Sequence, residues 1–528
     1  MLENIKAIFE KKSIQIILVL AVILAYYFYS FGKIDIVSSE DDVHLFGALN
    51  LNLPLEKFGN FGYYLFLFVV SKFAHSPLNT IFLDYFILST LAFVSLFFVL
   101  KKHSKSFFIA LFISTCFLFS DFQLLLVPKL TYLNFIVICL GLFFLDSKKY
   151  AFQNYFILSV CVLANAYVAR PEFVWFLVPT VLLTLFSHFK HSPKLSQTVS
   201  LFGLLFSIIV LYWLGGGLYP TGYLKEIFIQ HFFDNYEVWT GKHFDLADEF
   251  GQFNAIYGKV ESDFQVFTAN PGLLLKHGLY NFKNLILGVL KVFKSTFYDV
   301  FVGIFSSKTK YFIVVLVLIL GLIIDFKSSF KTLKTSLSLP KPLLKFIVWL
   351  LLPCLLLVLV IFPREHFVFL LLPFVFLSLG YLLKSIKLRQ NRYSKICFSL
   401  ILGAVFIGII GKYPIKANHP NNVDFYNYLN KIKLEKPLKM LSNDNFGYLY
   451  FGQNFERVGW NPSTETIIDK VRVENIDLIS IYRLDLEVPV TRAFVDSLHI
   501  QTGYIRIRNF EAQKRYLWVK PELINKFQ

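Results

Sequence analysis

The chain returns again and again to apolar runs long enough to cross a bilayer, and nothing else limits its fold so strongly. SIQIILVLAVILAYYFYSF at 13–31 is the first. Comparable runs lie near 78–100, 106–126, 130–146, 152–168, 172–189, 198–217, 310–326, 343–361, 366–384 and 395–412. About 20 apolar residues in a helix span a hydrocarbon core of about 30 Å, and a helix satisfies its own backbone there. The expected fold class is therefore an α-helical polytopic membrane protein with about eleven spans. A hydrophobic content of 56% agrees, since soluble domains hold about 45–50%. Two further apolar stretches fit a span poorly. FGYYLFLFVVSKFAH (61–75) is short and carries Lys72 and His75, which suits a helix in the interface. NLILGVLKVFKSTFYDVFVGIF (284–305) is broken by Lys291, Lys294 and Asp299 and is expected to be interfacial or re-entrant. The first run lacks a small-residue cleavage site and reads as a retained anchor.

The formal charge of +17 invites a nucleic-acid reading, but the basic residues collect in short connections between spans. Lys11–Lys12, KKHSK (101–105), DSKK (146–149), HFKHSPK (188–194), the 326–345 segment and KSIKLRQNRYSK (384–395) all fall on one side if the amino terminus is cytoplasmic. That is the positive-inside pattern, so the charge reports topology and no nucleic-acid partner is expected. The five cysteines lie in apolar runs without metal-ligand spacing, which indicates neither a disulfide framework nor a structural metal. No P-loop, HExxH, GxSxG or dinucleotide fingerprint occurs, and no internal repeat is visible.

With that orientation the unusual polar motifs sort to the outer face. VSSEDDVHLFGALN (37–50) places Glu40, Asp41 and Asp42 in a row, with His44 nearby, straight after the first span. The plain reading is a solvated loop. The functional one is a carboxylate at the membrane surface acting as general base or as ligand of a divalent cation. ARPEF (169–173) sets Arg170 and Glu172 between two spans, and FPREHF (362–367) repeats the pattern with Arg364, Glu365 and His366. Lys129 follows Pro128 on the same side. Each cation alone could be a snorkelling residue or, for Arg170, a partner of Glu172. Together, two arginines and a lysine suit an anionic headgroup such as a phosphate on an isoprenoid chain. In the long loop 218–309, Tyr236, Trp239 and Phe244 beside Asp234, Glu237, Asp245, Asp248 and Glu249 could stack on a sugar and bond its hydroxyls.

The domain division expected is 1–412 in the membrane, with outer loops 32–77 and 218–309, and 413–528 as a small soluble α/β domain outside it. In the latter, 423–432 and 491–498 read as helices. The stretches 438–442, 476–482, 503–510 and 515–521 read as strands.

This layout resembles the GT-C superfamily of polytopic glycosyltransferases, which includes protein O-mannosyltransferase-like and aminoarabinose-transferase-like enzymes. The resemblance covers roughly residues 10–385 and rests on Asp41–Asp42 after the first span, ARPEF, TANPGLLLKHGLYNFKNL (268–285) and PREHFVFLLLPF (363–374). It implies transfer of a sugar from a polyprenyl-phosphate donor to a glycan, lipid or protein acceptor of the cell envelope, lipopolysaccharide included. It implies Asp41 or Asp42 as the base, with Asp41 preferred, usual inversion at the anomeric carbon, and Arg170, Arg364 and Lys129 facing the departing phosphate. Relatives often carry Asp-Glu where this chain has Asp41–Asp42, and Tyr near Glu365–His366, which leaves the register of the acids open. No glycosylation sequon with a permitted middle residue occurs, which favours a bacterial inner membrane. Rival readings are an O-antigen polymerase or ligase, a lipid-linked sugar flippase or transporter, and a non-catalytic scaffold. A transporter should bury charges deep in its spans, whereas the charges picked out here lie at their outer ends.

Overall fold

A computed structural model of the chain describes residues 11–31, 41–51, 60–120, 129–146, 151–168, 170–190, 194–214, 223–241, 249–298, 324–336, 341–361, 363–387, 422–443, 447–451, 454–460, 466–481, 489–510 and 515–527. In chain order the helices are α1 Lys12–Ser30, α2 Asp41–Leu49, α3 Phe61–Ala74, α4 Pro77–Ser104, α5 Phe107–Leu118 and α6 Leu130–Phe144. They continue with α7 Ala151–Val168, α8 Val174–Lys190, α9 Leu195–Leu214, α10 Tyr223–Thr240, α11 Glu249–Tyr257 and α12 Pro271–Phe293. Then come α13 Phe326–Ser336, α14 Lys341–Val360, α15 Leu372–Ser385, α16 Asn422–Lys431, α17 Ile467–Glu474 and α18 Pro489–Asp496.

Among the described residues, five helices are long and apolar enough to cross a membrane: Pro77–Ser104, Ala151–Val168, Pro171–Lys190, Leu195–Leu214 and Leu343–Val360. Shorter apolar helices occupy Lys12–Phe28, Phe61–Ala74, Phe107–Leu118, Leu130–Phe144 and Phe369–Ser385. The runs expected near 310–326 and 395–412 lie almost wholly or wholly outside the described residues. One expectation changes. The segment expected to start at 284 is the second half of α12, which begins at Pro271 and passes into a π-helical turn at Lys294–Tyr298. Asn270 caps it by accepting from the Leu273 N–H at 3.0 Å, and Pro271 supplies a fixed φ at the first helical position.

The chain divides into two compact units. The first combines 1–27, 52–63 and 87–413. Its helices lie close where side chains are small. A Cβ added at Gly141 of α6 would meet Cys161 Sγ of α7 at 2.8 Å and Leu350 Cδ2 of α14 at 3.1 Å. Hydrogen bonds between helices replace the missing hydrophobic drive in lipid. Asn134 of α6 donates to the side chain of Asn165 at 2.9 Å and to its carbonyl at 3.0 Å. Ser159 of α7 and Thr184 of α8 share a bond of 3.0 Å. Buried rings fill the space between α5, α6 and the turn Phe369–Leu371. Phe117 stacks on Phe135 at 5.2 Å, and Phe369 sits 4.7 Å from Phe135 and 4.6 Å from Tyr132. Such pairs contribute about 0.5–1.5 kcal/mol each beyond their area.

The two ends of α6 are chemically different. Its last carbonyls lack intrahelical donors and are met by the end of α4. Lys102 Nζ donates to Leu145 O at 2.8 Å and to Phe143 O, and His103 Nε2 donates to Leu142 O at 3.2 Å. Cations at a helix carboxyl end are favoured by the macrodipole. Lys129 sits at the other end, about 22 Å away along the axis at 1.5 Å per residue.

The second unit combines 28–51, 64–86 and 414–528. Its sheet has the order β2-β1-β3-β5-β4, with β1 Leu438–Leu441, β2 Phe455–Val458, β3 Leu478–Ile481, β4 Ile505–Phe510 and β5 Arg515–Val519. β1 pairs in parallel with β2 and β3, while β5 runs antiparallel to β3 and β4. β3 is buried along its whole length, as a central strand covered on both faces must be. Thr466 caps α17 by accepting from the Asp469 N–H at 3.1 Å, and Asn475 ends it in the left-handed region at φ 49°. The same unit holds α2 and most of α3. Gly47 of α2 lies against the Tyr64 ring, where an added Cβ would come within 3.0 Å. The turn Gly447–Tyr450 also packs on α2.

The close approach at Gly141 gives a direct test. Gly141→Ala should destabilise the purified protein by about 1–3 kcal/mol, because the methyl has no room. A lowered thermal unfolding midpoint in detergent reports this, and adding Cys161→Ala should restore part of the loss.

Candidate anion-binding site

The first turn of α6 gathers positive charge. Lys129 is its N-cap residue and is wholly buried, with Nζ donating to Tyr132 Oη at 3.2 Å and lying 4.4 Å from the ring centroid. Arg170 comes from the break between α7 and α8, where its backbone N–H donates to Asn165 O at 3.1 Å and Pro171 starts a 3₁₀ turn. Proline cannot continue α7, so the chain turns here and the guanidinium points inward. Arg170 Nη2 donates to Thr131 Oγ1 at 3.2 Å, and the guanidinium carbon lies 4.4 Å over the Phe367 ring. The side chain is 7% exposed, and among the described residues its Nε has no hydrogen-bond partner.

This arrangement bears on both readings of Arg170. It is buried rather than snorkelling to a surface; among the described residues the two buried carboxylate oxygens of Glu172 have no hydrogen-bond partner, while the Glu172 charge still couples to the guanidinium. A helix amino terminus carries about half a positive charge, so it opposes cations and favours an anion. The donors here are a guanidinium fork, an ammonium and the amino end of a 15-residue helix. That set fits a phosphate group.

Arg364 approaches from the segment after α14. Its carbonyl accepts from the Phe367 and Val368 N–H groups at 2.9 and 3.0 Å, which puts it one helical turn before the ring that covers Arg170. Its side chain is half-exposed and reaches Asp234 Oδ2 of α10 at 3.6 Å. Asp234 also accepts from His231 Nδ1 at 3.0 Å. Burial works to raise the Asp234 carboxyl, but the hydrogen bond and charge of His231, then Arg364, hold it below the usual carboxylate range.

A buried polar clamp fixes where Arg364 begins. His277 Nε2 of α12 donates to Ile361 O at 2.9 Å and Val360 O at 3.0 Å. Asn281, one turn on, donates to Leu359 O at 2.9 Å. Asn235 of α10 donates to His277 Nδ1 at 3.0 Å and to Asn281 Oδ1 at 2.7 Å. The orphan carbonyls at the end of α14 are thus satisfied by side chains, just ahead of Pro363 and Arg364. The bonds assign His277 as the neutral tautomer protonated on Nε2. Burial, first, and nearby His231 push its pKa down to about 4 against the backbone bonds.

The structure therefore brings Lys129, Arg170 and the Arg364 segment together, with Glu172 adjacent to Arg170 in the turn. Asp41 and Asp42 are the first two residues of α2, so the acidic run opens a helix where the sequence suggested a loop. Carboxylates suit that end of a helix. Glu40 lies outside the described residues, as do the side chains of Asp41, Asp42, Glu365 and His366. His44 packs its ring 5.8 Å from Tyr64. Tyr236 and Trp239, read as able to stack on a sugar, are half-buried and pack against the α10–α12 cluster, and Lys276 lies 4.6 Å over Trp239. Phe244, Asp245 and Asp248 lie outside the described residues. Sequence reading passed over Asn235, His277, Asn281, Thr131 and Phe367. The i, i+4 pair His277–Asn281 on an apolar helix was the available signal. Asp84, wholly buried within α4 in the second unit, was also passed over. Among the described residues no three His, Cys, Asp or Glu side chains converge to hold a metal.

No protein-family model matches the chain, and no curated protein is significantly similar to it. In fold the chain is similar to the crystal structure of ArnT from Cupriavidus metallidurans bound to undecaprenyl phosphate, at TM-score 0.47 and 10% identity over 96% of this chain and 98% of that one. It is also similar to ArnT from the same organism in the apo state, at TM-score 0.39 and 10% identity over 97% and 98%. Similarity at this level carries no inference about the chemistry of this chain.

The clamp makes stability depend on pH. A histidine whose folded pKa is depressed contributes stability above its ordinary 6.5 and loses it as pH falls toward about 4. Protonated Nδ1 would face the donor of Asn235. The unfolding midpoint should drop across that window, by up to about 3 kcal/mol in stability. His277→Gln keeps a donor and an acceptor without titrating and should flatten the drop, measured by thermal unfolding at successive pH values.

Proposed function

We propose that the protein is an integral-membrane glycosyltransferase that takes a sugar from a polyprenyl-phosphate donor and passes it to an envelope glycan, lipid or protein acceptor on the non-cytoplasmic face. The observation that carries this reading is the buried Arg170 guanidinium at the amino end of α6, tethered by a neutral hydroxyl and holding a donor that no described residue takes up. The motif resemblance set out above agrees with it.

In the proposed reaction the acceptor hydroxyl attacks the anomeric carbon, the bond from that carbon to the phosphate oxygen breaks, and polyprenyl phosphate leaves. The hydroxyl proton passes to Asp41 or Asp42, with Asp41 preferred and inversion expected. Negative charge grows on the phosphate as the bond breaks. Lys129, Arg170 and Arg364 would meet it with donors already in place, which is where electrostatic catalysis is strongest. Phe367 and Tyr132 limit the water around these cations and so strengthen the interaction. A divalent cation at the acids is compatible with this chemistry and not required by it.

Sidedness is supported by the two ends of α6. The basic cluster of α4 lies at its carboxyl end, and the Arg170 site lies at the other. The positive-inside rule puts the former in the cytoplasm and the latter outside.

Purified protein in proteoliposomes, offered a panel of polyprenyl-phosphate sugars, should transfer one of them. Arg170→Ala should lower kcat by about 10²–10³ through loss of one charge-stabilising group. Arg170→Lys should recover little of that, since an ammonium lacks the fork. Asp41→Asn together with Asp42→Asn should lower kcat by about 10²–10⁴. Full activity in that double variant, or no transfer from any polyprenyl-phosphate sugar, sinks the reading.

A further inference from the structure

The helix α13 has a composition that the transfer reaction leaves unexplained. FKSSFKTLKTS places Phe326, Phe330 and Leu333 on one stripe and Lys327, Lys331 and Lys334 on the next, about 100° round the axis. Leu333 is half-buried, but the two phenylalanines of the stripe stay exposed. Phe326 and Phe330 are 63% and 73% exposed, and Lys327 and Lys331 are exposed beside them.

The helix is nonetheless held in one orientation. Asp325 caps it by accepting from the Ser328 N–H at 3.0 Å and the Ser328 hydroxyl at 2.6 Å. The Asp325 N–H donates to Lys387 O at 2.8 Å, and the Lys387 N–H donates to Ser329 Oγ at 2.8 Å. Ser329 lies on the flank away from the lysines, so these bonds fix α13 by its polar side to the end of α15 and leave the phenylalanines outward.

The position of that tether identifies the surroundings. α15 ends at Ser385, and Tyr381 in its last turn hydrogen-bonds His103 at 3.2 Å. His103 belongs to the pair that caps the carboxyl end of α6, and neighbouring Lys101 donates to Gln15 of α1 at 3.0 Å. α13 therefore lies at the basic end of the first unit, among Lys101, Lys102, Lys384 and Lys387. Exposed phenylalanines flanked by lysines, fixed at a basic membrane boundary, match one environment: the headgroup layer of a leaflet rich in anionic lipid.

We propose that α13 docks on anionic phospholipid headgroups of the surrounding bilayer, with Phe326 and Phe330 in the acyl boundary and Lys327 and Lys331 on the phosphates. The inference is independent of the transfer reaction and of the Arg170 site.

Full-length protein carrying Phe330→Trp, in nanodiscs of phosphatidylcholine mixed with phosphatidylglycerol, tests it. One of the two lipids is brominated in turn, and emission of the unsubstituted protein is subtracted. Brominated phosphatidylglycerol should quench the added indole about fivefold more than brominated phosphatidylcholine, the preference one surface lysine confers. Higher salt should reduce that preference. Lys327→Gln with Lys331→Gln should bring the ratio to about one while the protein keeps its elution volume. Equal quenching by both lipids in the parent overturns the anionic preference. Quenching by aqueous iodide alone overturns lipid docking and marks the stripe as a surface for a soluble partner.

Discussion

The first unit is organised by the polarity of one helix. The carbonyls that end α6 attract Lys102 and His103, an arrangement the macrodipole rewards. Its amino end receives Lys129 and Arg170, an arrangement the same dipole opposes unless an anion joins them. The difference between a satisfied end and an end suited to a ligand follows from chain direction alone. Everything described near the site lies at the second end. The break at Pro171, the Phe367 ring and the clamp on α14 deliver side chains to it or hold the segments that do.

Most of the helical framework could be read from hydropathy, because a span must be apolar for a fixed length and charged at its ends. α4, α7, α8, α9 and α14 follow that rule closely. α12 did not, since its first half carries Lys276, His277, Asn281 and Lys283 and hides its continuity with the apolar half. The helical start at Asp41 was equally hidden, as three carboxylates in a row look like exposed loop. In the second unit β3, β4 and β5 stood out by alternation or burial, whereas β2 is four residues of mixed character, FERV, and gave no signal.

The cations of the site were legible as residues but not as a geometry. Arg170, Arg364 and Lys129 drew attention because each follows or precedes a proline at a span end. Nothing local says that Thr131 takes one arm of Arg170, or that Phe367 covers its face. Those are contacts between segments far apart in sequence, and single-sequence reasoning reaches them only through position relative to the membrane. The clamp of Asn235, His277 and Asn281 is the same kind of feature, with donors from two helices meeting carbonyls of a third.

The tether of Arg170 has a consequence for the electric potential around it. Arginines in apolar surroundings are commonly steadied by a carboxylate, which fixes the side chain but cancels much of its field. Here a threonine hydroxyl and an aromatic face do the steadying, and both are neutral. Direction is secured by groups that carry no charge of their own. A site that steadies an arginine in this way can bind an anion without first losing a hydrogen bond to a carboxylate. The pull on an anion is moderated by Coulomb coupling to Glu172, the buried carboxylate two residues along, which makes no hydrogen bond to the guanidinium.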